Sequence, residues 1–351
     1  MGHRNVTVGI IGVGYWGPNL VRAFAETPGC ELRYICDLRQ DVLNKMAKRF
    51  HQVKITNRFD DLLNDPELDG VVIATPAATH ADLASKVLNA GKHVLVEKPL
   101  AHEAEAAERL VKLAESQKRI LMVGHTFEFN PAVRKLKDLI RDPTFGGVVY
   151  LYSRRVNMGV LRQDVNALWN LAPHDVSIIL YLFEEFPHAV IAHGLAHIRK
   201  DVEDVAFMYL EFPSGKIAHV HVSWLDPSKV RNMTVIGSRR MVVYDDVDPE
   251  ARLRIYDRGF EIDSTMSGID HADPSSYTYR IRSGDMIAPH IEWKEPLALE
   301  CRHFVETIRD SGVPLTDGHN GLRVVRVLAA ATESMRKGGA RIAITIAAER
   351  Q

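Results

Sequence analysis

Three closely spaced glycines, Gly12, Gly14 and Gly17, follow an apolar run from Val6 to Ile11. A strand, then glycines, then a helix makes a loop that can wrap an anionic group. Gly12 permits a tight turn, Gly14 lets the backbone approach a pyrophosphate, and Gly17 lets the helix pack closely on the strand. The helix N-terminus adds free N–H groups and a partial positive charge. Asp37 stands twenty residues beyond Gly17, at the end of a second β-rich run from Glu31 to Cys36. A carboxylate there accepts hydrogen bonds from both ribose hydroxyls of an adenosine and repels a 2′-phosphate. The spacing therefore predicts an NAD site, with Tyr15 and Trp16 inside its turn. Trp16 has two readings, as a wall of the nicotinamide pocket or as a cap on the first helix. Arg39, two residues past Asp37, leaves tolerance for NADP open.

The elements that position these residues alternate in type. Helical patterns at Asp41–His51, Phe59–Leu63, His80–Asn89 and Glu103–Ser116 alternate with short β-rich runs at Val53–Thr56, Gly70–Ala74, His93–Val96 and Ile120–Val123. This is the signature of a doubly wound parallel sheet. The near-continuous apolar run Gly70–Ala74 suits a strand buried on both faces. Ligands of such sheets bind beyond the carboxyl ends of the strands. Thr75 and Pro76, then Glu97 and Lys98, then Gly124 and His125 are placed there. The first four are assigned to the cofactor. His125 either contacts substrate or is buried against Phe127.

Near Asn130 the pattern changes. A helix at Pro131–Arg141 leads into period-two runs at Val148–Val156, His188–His197, Val205–Phe212, Lys216–Trp224, Arg231–Ile236, Met241–Asp245 and Arg252–Asp257. They predict a large, mostly antiparallel sheet with helices over one face. The polar stretch Gly259–Asp285 reads as a loop or arm, and helices return at Glu300–Arg309 and Gly321–Lys337. The expected architecture is α/β, with a cofactor domain over residues 1–124 and a substrate domain over 125–351.

The 351 residues carry a formal net charge of −1, and no basic field for nucleic acid or an anionic membrane is evident. The apolar runs are too short to span a bilayer, and the opening residues run straight into the first strand without a signal-peptide pattern. Three cysteines at Cys30, Cys36 and Cys301 have no metal-type spacing and suit a reducing cytoplasm. The histidine pairs His219/His221 and His193/His197 lack accompanying carboxylates or thiols, so no metal is expected.

With Asp37, Thr75-Pro76, Glu97-Lys98-Pro99, Phe127-Glu128-Phe129-Asn130-Pro131 and Trp169-Asn170-Leu171-Ala172-Pro173-His174-Asp175 in view, the chain resembles the glucose–fructose oxidoreductase/inositol dehydrogenase (Gfo/Idh/MocA) family over essentially its whole length. The resemblance implies a Rossmann domain for NAD(P) and a second domain whose open sheet supports a homodimer or homotetramer. It also implies a cyclic polyol or sugar as substrate, oxidised at a ring hydroxyl. Such chemistry needs a base within about 3 Å of the hydroxyl and a cation for the developing alkoxide. Lys98 supplies the cation and His174, which titrates near neutral pH, is the better proton acceptor. The family's matching lysine and histidine carry these roles.

Asn170 departs from the aspartate that many relatives carry four residues before the histidine. It can orient the imidazole or bind substrate, but cannot stabilise an imidazolium by charge. Asp175 reads as a helix-capping or supporting residue. Arg154, Arg155, Arg162 and Asn166 either bind substrate groups or are solvated, and Trp169 joins Arg162, Asn166, His125 and His174 as the substrate set. The segments Leu168–Ile178, His221–Pro227 and Arg302–Phe304 resemble the branch linked to amino-sugar biosynthesis, which implies oxidation at C3 of a nucleotide sugar or an aminoglycoside-type sugar before transamination. A glycosidase using transient C3 oxidation and a non-enzymatic NAD sensor remain the alternatives.

Overall fold

A computed structural model describes residues 4–159, 161–162, 165–262 and 279–345. Parallel strands β1 (Val6–Ile11), β2 (Cys30–Cys36), β3 (Lys54–Thr56), β4 (Gly70–Ile73), β5 (His93–Glu97) and β6 (Leu121–Gly124) form one sheet in the order β3-β2-β1-β4-β5-β6. The order reverses at β1 and β4, the switch point where such sheets open a crevice. Helices α1 (Gly17–Ala25), α2 (Gln40–Arg49), α3 (Asp60–Leu63), α4 (His80–Asn89) and α5 (Ala104–Gln117) connect the strands. Val71, Val72 and Ile73 have no exposed surface, as a strand covered on both faces requires.

The chain forms two compact units, and the first does not end at Gly124. It comprises Met1–Asn130 and Arg162–Val165 together with Trp293–Ala329. The expected split after Gly124 is corrected by the helix α8 (Pro296–Asp310), whose Leu297, Cys301, Phe304 and Val305 belong to the core built on β1 and α1. Phe304 meets Phe24 of α1 edge to face, with ring centroids 6.2 Å apart, a pairing that contributes about 1 kcal/mol beyond the area it buries. The helix α9 (Gly318–Arg336) gives its first part to this unit.

The second unit holds α6 (Pro131–Arg141), α7 (Ala167–Phe183) and a nine-stranded sheet. Its strands are β7 (Val148–Val156), β8 (Ala189–Leu195), β9 (Val205–Glu211), β10 (Ile217–Ser223), β11 (Val230–Gly237), β12 (Met241–Asp245), β13 (Leu253–Tyr256), β16 (Met286–Ile287) and β17 (Ile342–Ala343). The order is β16-β13-β12-β11-β7-β10-β9-β8-β17, antiparallel throughout except for the β7–β10 pair. The stretch expected to be a loop instead contains β14 (Gly259–Ile262) paired with β15 (Tyr279–Arg282); residues 263–278 lie outside the described residues. Alternation sorts the strands' side chains. Leu151, Val220 and Val222 are buried, while Tyr150, Tyr152 and Phe207 on the opposite face are each about two-fifths exposed.

Candidate active site

In the first unit, Gly12 has φ +87°, and a Cβ there would stand 2.8 Å from the Ala74 backbone. A Cβ on Gly17 would run into the Gly12 carbonyl oxygen. A Cβ on Gly14 would meet only the tip of Arg39, so the backbone there lies open to a ligand. Trp16 is the residue before α1 and makes no side-chain cap, so the capping reading fails. Tyr15 is almost fully exposed.

Asp37 is buried at the end of β2, and its Oδ2 accepts the Val13 N–H at 2.9 Å. Its Oδ1 accepts the Arg39 backbone N–H at 2.9 Å and the Arg39 Nε–H at 3.1 Å. Burial alone would raise its pKa, but the bonds from Arg39 and Val13 outweigh it and hold the carboxyl below its usual range. The glycine cradle and an ionised acceptor at Asp37 thus fit the phosphate and ribose parts of NAD.

The ends of β4, β5 and β6 carry the remaining groups. Thr75 Oγ1 hydrogen-bonds Thr79 Oγ1 at 2.7 Å, and Pro76 is exposed. His80, which the sequence left aside, is buried and braces two of these loops. Its Nδ1 lies 2.8 Å from the Pro99 carbonyl oxygen and its Nε2 2.9 Å from that of Thr75. Burial holds its pKa down, so the neutral ring donates to one carbonyl at a time.

Lys98 is half-buried, and its backbone N–H donates to Glu97 Oε2 at 3.2 Å. The Glu97 carboxyl is buried against Gly124. His125 is also buried, at 1% exposure, which disfavours direct substrate contact. Burial, then the Lys98 charge, push its pKa down to about 3. Behind it, Glu300 of α8 accepts the Thr126 hydroxyl at 2.9 Å, and Glu128 accepts the Asn320 amide at 3.1 Å. Sequence reasoning missed Glu300, although an acid between Leu297 and Phe304 interrupts the apolar stripe of α8.

In the second unit, α7 runs unbroken through Pro173, so Asn170 and His174, four residues apart, share one face. The Asn166 side chain caps the helix by accepting the Trp169 N–H at 3.0 Å and donates to Glu203 at 2.7 Å. Trp169 is buried and donates its indole N–H to Thr332 at 2.9 Å. Both side chains thus already serve the fold, Asn166 as the cap of α7 and Trp169 as a tie to α9. Arg162 is exposed. The Trp224 indole donates to Asn170 Oδ1 at 3.2 Å, which fixes the amide's orientation because an indole N–H only donates.

Asp175 caps nothing. It lies inside α7 with its carboxylate 2.7 Å from Arg155 Nε of β7, both side chains almost fully buried. Neither reading of Arg155, solvated or substrate-binding, survives. Phe207 stacks on His221 at 4.3 Å, and among the described residues no group of three or more potential ligands could hold a metal.

Residues 6–125 match the family model for the NAD-binding Rossmann fold of the GFO_IDH_MocA oxidoreductases, and residues 133–243 match the GFO/IDH/MocA C-terminal domain. The chain belongs to the Gfo/Idh/MocA oxidoreductase family. It is an NAD-binding oxidoreductase. Among curated relatives, the UDP-N-acetylglucosamine 3-dehydrogenase of Acidithiobacillus ferrooxidans is 27% identical over 92% of this chain and 94% of its own length. The NADP-dependent scyllo-inositol 2-dehydrogenase IolW of Bacillus subtilis is 24% identical over 95% and 94%. Among solved structures, GenD2 from gentamicin A biosynthesis, in complex with NAD, superposes with a TM-score of 0.81 at 25% identity, covering 98% of each chain.

Proposed function

We propose that this family member oxidises a ring hydroxyl of a sugar, at C3, to a ketone ahead of transamination in amino-sugar biosynthesis. The observation that carries the reading is the likeness, over more than nine-tenths of both chains, to a UDP-N-acetylglucosamine 3-dehydrogenase. The match to a protein of gentamicin A biosynthesis supports an aminoglycoside-type sugar as the other candidate.

Gly12, Gly14 and Gly17 would hold the pyrophosphate and Asp37 the adenosine ribose. When bound, NAD supplies the hydride acceptor. Lys98 and His174 act on the carbinol, the ammonium stabilising developing negative charge on oxygen and the imidazole handling the proton. Asn170 orients the imidazole or binds a sugar hydroxyl. The exposed aromatic face of Tyr150, Tyr152 and Phe207 supports a homodimer or homotetramer built through the large sheet. Three free cysteines suit a reducing cytoplasm, and among the described residues no helix is long and apolar enough to cross a membrane.

The test is NADH appearance with UDP-N-acetylhexosamines, their uronates and aminoglycoside pseudosaccharides. Turnover of one class is expected. If no sugar alcohol is oxidised and no keto sugar reduced, the reading is wrong.

A further inference from the structure

Buried polar atoms almost always find a hydrogen-bond partner. Among the described residues several of the exceptions fall at the ends of β5 and β6 and on α8 and α9, while Ser153 and Arg231 carry others elsewhere. Glu97 Oε1, both ring nitrogens of His125, Glu300 Oε1 and Asn320 Oδ1 are all buried without a hydrogen-bond partner.

The two carboxyls are alike. Each has one oxygen with a donor, the Lys98 backbone N–H for Glu97 and the Thr126 hydroxyl for Glu300, and each has a bare Oε1. They are held on one short stretch of chain. A Cβ on Gly124 would stand 3.1 Å from the Glu97 carboxyl, and Thr126, two residues on, holds Glu300. Cα atoms two residues apart are separated by no more than about 7 Å. Two ionised carboxylates so placed and so buried repel each other and lose their water, so one of them keeps its proton.

We propose that Glu97 and Glu300 share one proton between their bare oxygens, directly or through one bound water, and that this pair sets the charge beside Lys98. The electrostatics agree. Burial lifts the Glu97 pKa to about 7 against the opposing pull of the Lys98 charge. Burial first, then the charges of Glu97 and Glu128, lift Glu300 well above the carboxylate range.

The groups that bear on the pair come from every neighbouring element. They are Lys98 after β5, the Trp16 indole of the glycine turn, His125 and Glu128 after β6, and Cys301 on α8. Asn320 of α9 is itself bonded to Glu128. Glu300 therefore holds the proton through neutral pH while Glu97 ionises near 7 and gives the Lys98 ammonium an anionic neighbour. Glu300 is a positioning residue that acts on Lys98 through Glu97. Its link to catalysis rests on the sugar-dehydrogenase reading; the shared proton does not.

Infrared spectroscopy of the full chain with NAD at pH 8 reads the proton without any substrate. A carboxylic acid stretch is expected in the wild type, lost in Glu300→Gln and kept in Glu128→Gln. A wild type without that band, or a Glu300→Gln protein that retains it, overturns the proposal. Kinetics read the coupling. Glu300→Leu removes the donor facing Glu97, so the acid limb of kcat/KM should move up by about one pH unit, a tenfold change in proton affinity. Glu300→Gln, whose amide still donates, should restore most of the wild-type position. A limb unmoved in Glu300→Leu refutes the coupling. If that variant fails to fold or no substrate is turned over, the infrared result on Glu300→Gln decides.

Discussion

Each unit buries charge, but in opposite ways. In the second, Arg155 and Asp175 meet at 2.7 Å and hold α7 against β7. In the first, Glu97, Glu300 and His125 lie just as deep at the mouth of the parallel sheet and keep atoms without partners. Matched charge fixes a structure, and removing one member leaves the other stranded. Unmatched charge has perturbed proton affinity, and such groups collect where chemistry is done. The difference separates a matched pair that anchors α7 from a titrating floor beside Lys98.

The largest expected effect lies on the matched side. Arg155→Met should destabilise the protein by about 3–5 kcal/mol, because Asp175 is left charged and buried. Replacing both, as Arg155→Met with Asp175→Leu, should recover most of that loss in urea denaturation. A single variant as stable as the wild type would mean the pair is not matched at all.

The unmatched side should instead show in pH dependence. Glu97 ionises near 4.5 when unfolded and near 7 when folded, so the folded state binds the extra proton between those values. Its contribution to stability is full below pH 4.5 and falls as pH rises to 7, on the order of 3 kcal/mol. Glu97→Gln should remove this slope, seen as a smaller change in denaturation midpoint between pH 5 and 7.5. An unchanged slope would give Glu97 an ordinary environment.

Two smaller effects sharpen the assignment. Asp37→Ala should weaken NAD binding about tenfold or more and reduce discrimination against NADP, because a charged acceptor and its repulsion of a 2′-phosphate both disappear. Unaltered preference in titrations with both dinucleotides would contradict the ribose role. Trp224→Phe removes one hydrogen bond from Asn170, worth about 1 kcal/mol, and should lower turnover through a looser amide while NAD affinity stays the same.

The same contrast marks what could be read from the sequence. The glycine turn, Asp37 and the strand ends were legible because each depends on neighbours a few residues away. Period-two runs placed the strands of the second sheet from Val148 to Tyr256 closely. The failures involve distant partners. Nothing near Asp175 announces Arg155, and nothing near Glu97 announces Glu300, two hundred residues later. Likewise nothing near Trp169 or Asn166 announces Thr332 and Glu203, which engage them. Pro173 lies within one continuous helix, flanked by the cap at Asn166 and the Arg155 anchor. The strand pair β14–β15 was hidden in a polar stretch that carries no clear alternation.

The most direct test of the whole account is Lys98→Met, assayed for NAD binding by calorimetry and for NADH formation with the sugar that the wild type oxidises. Turnover should fall at least about a hundredfold while the NAD dissociation constant stays within about threefold, since the cradle at Gly12–Gly17 and Asp37 is untouched. Turnover at the wild-type rate would contradict a catalytic role for this lysine, and an equal loss of NAD binding would make it part of the cofactor site alone.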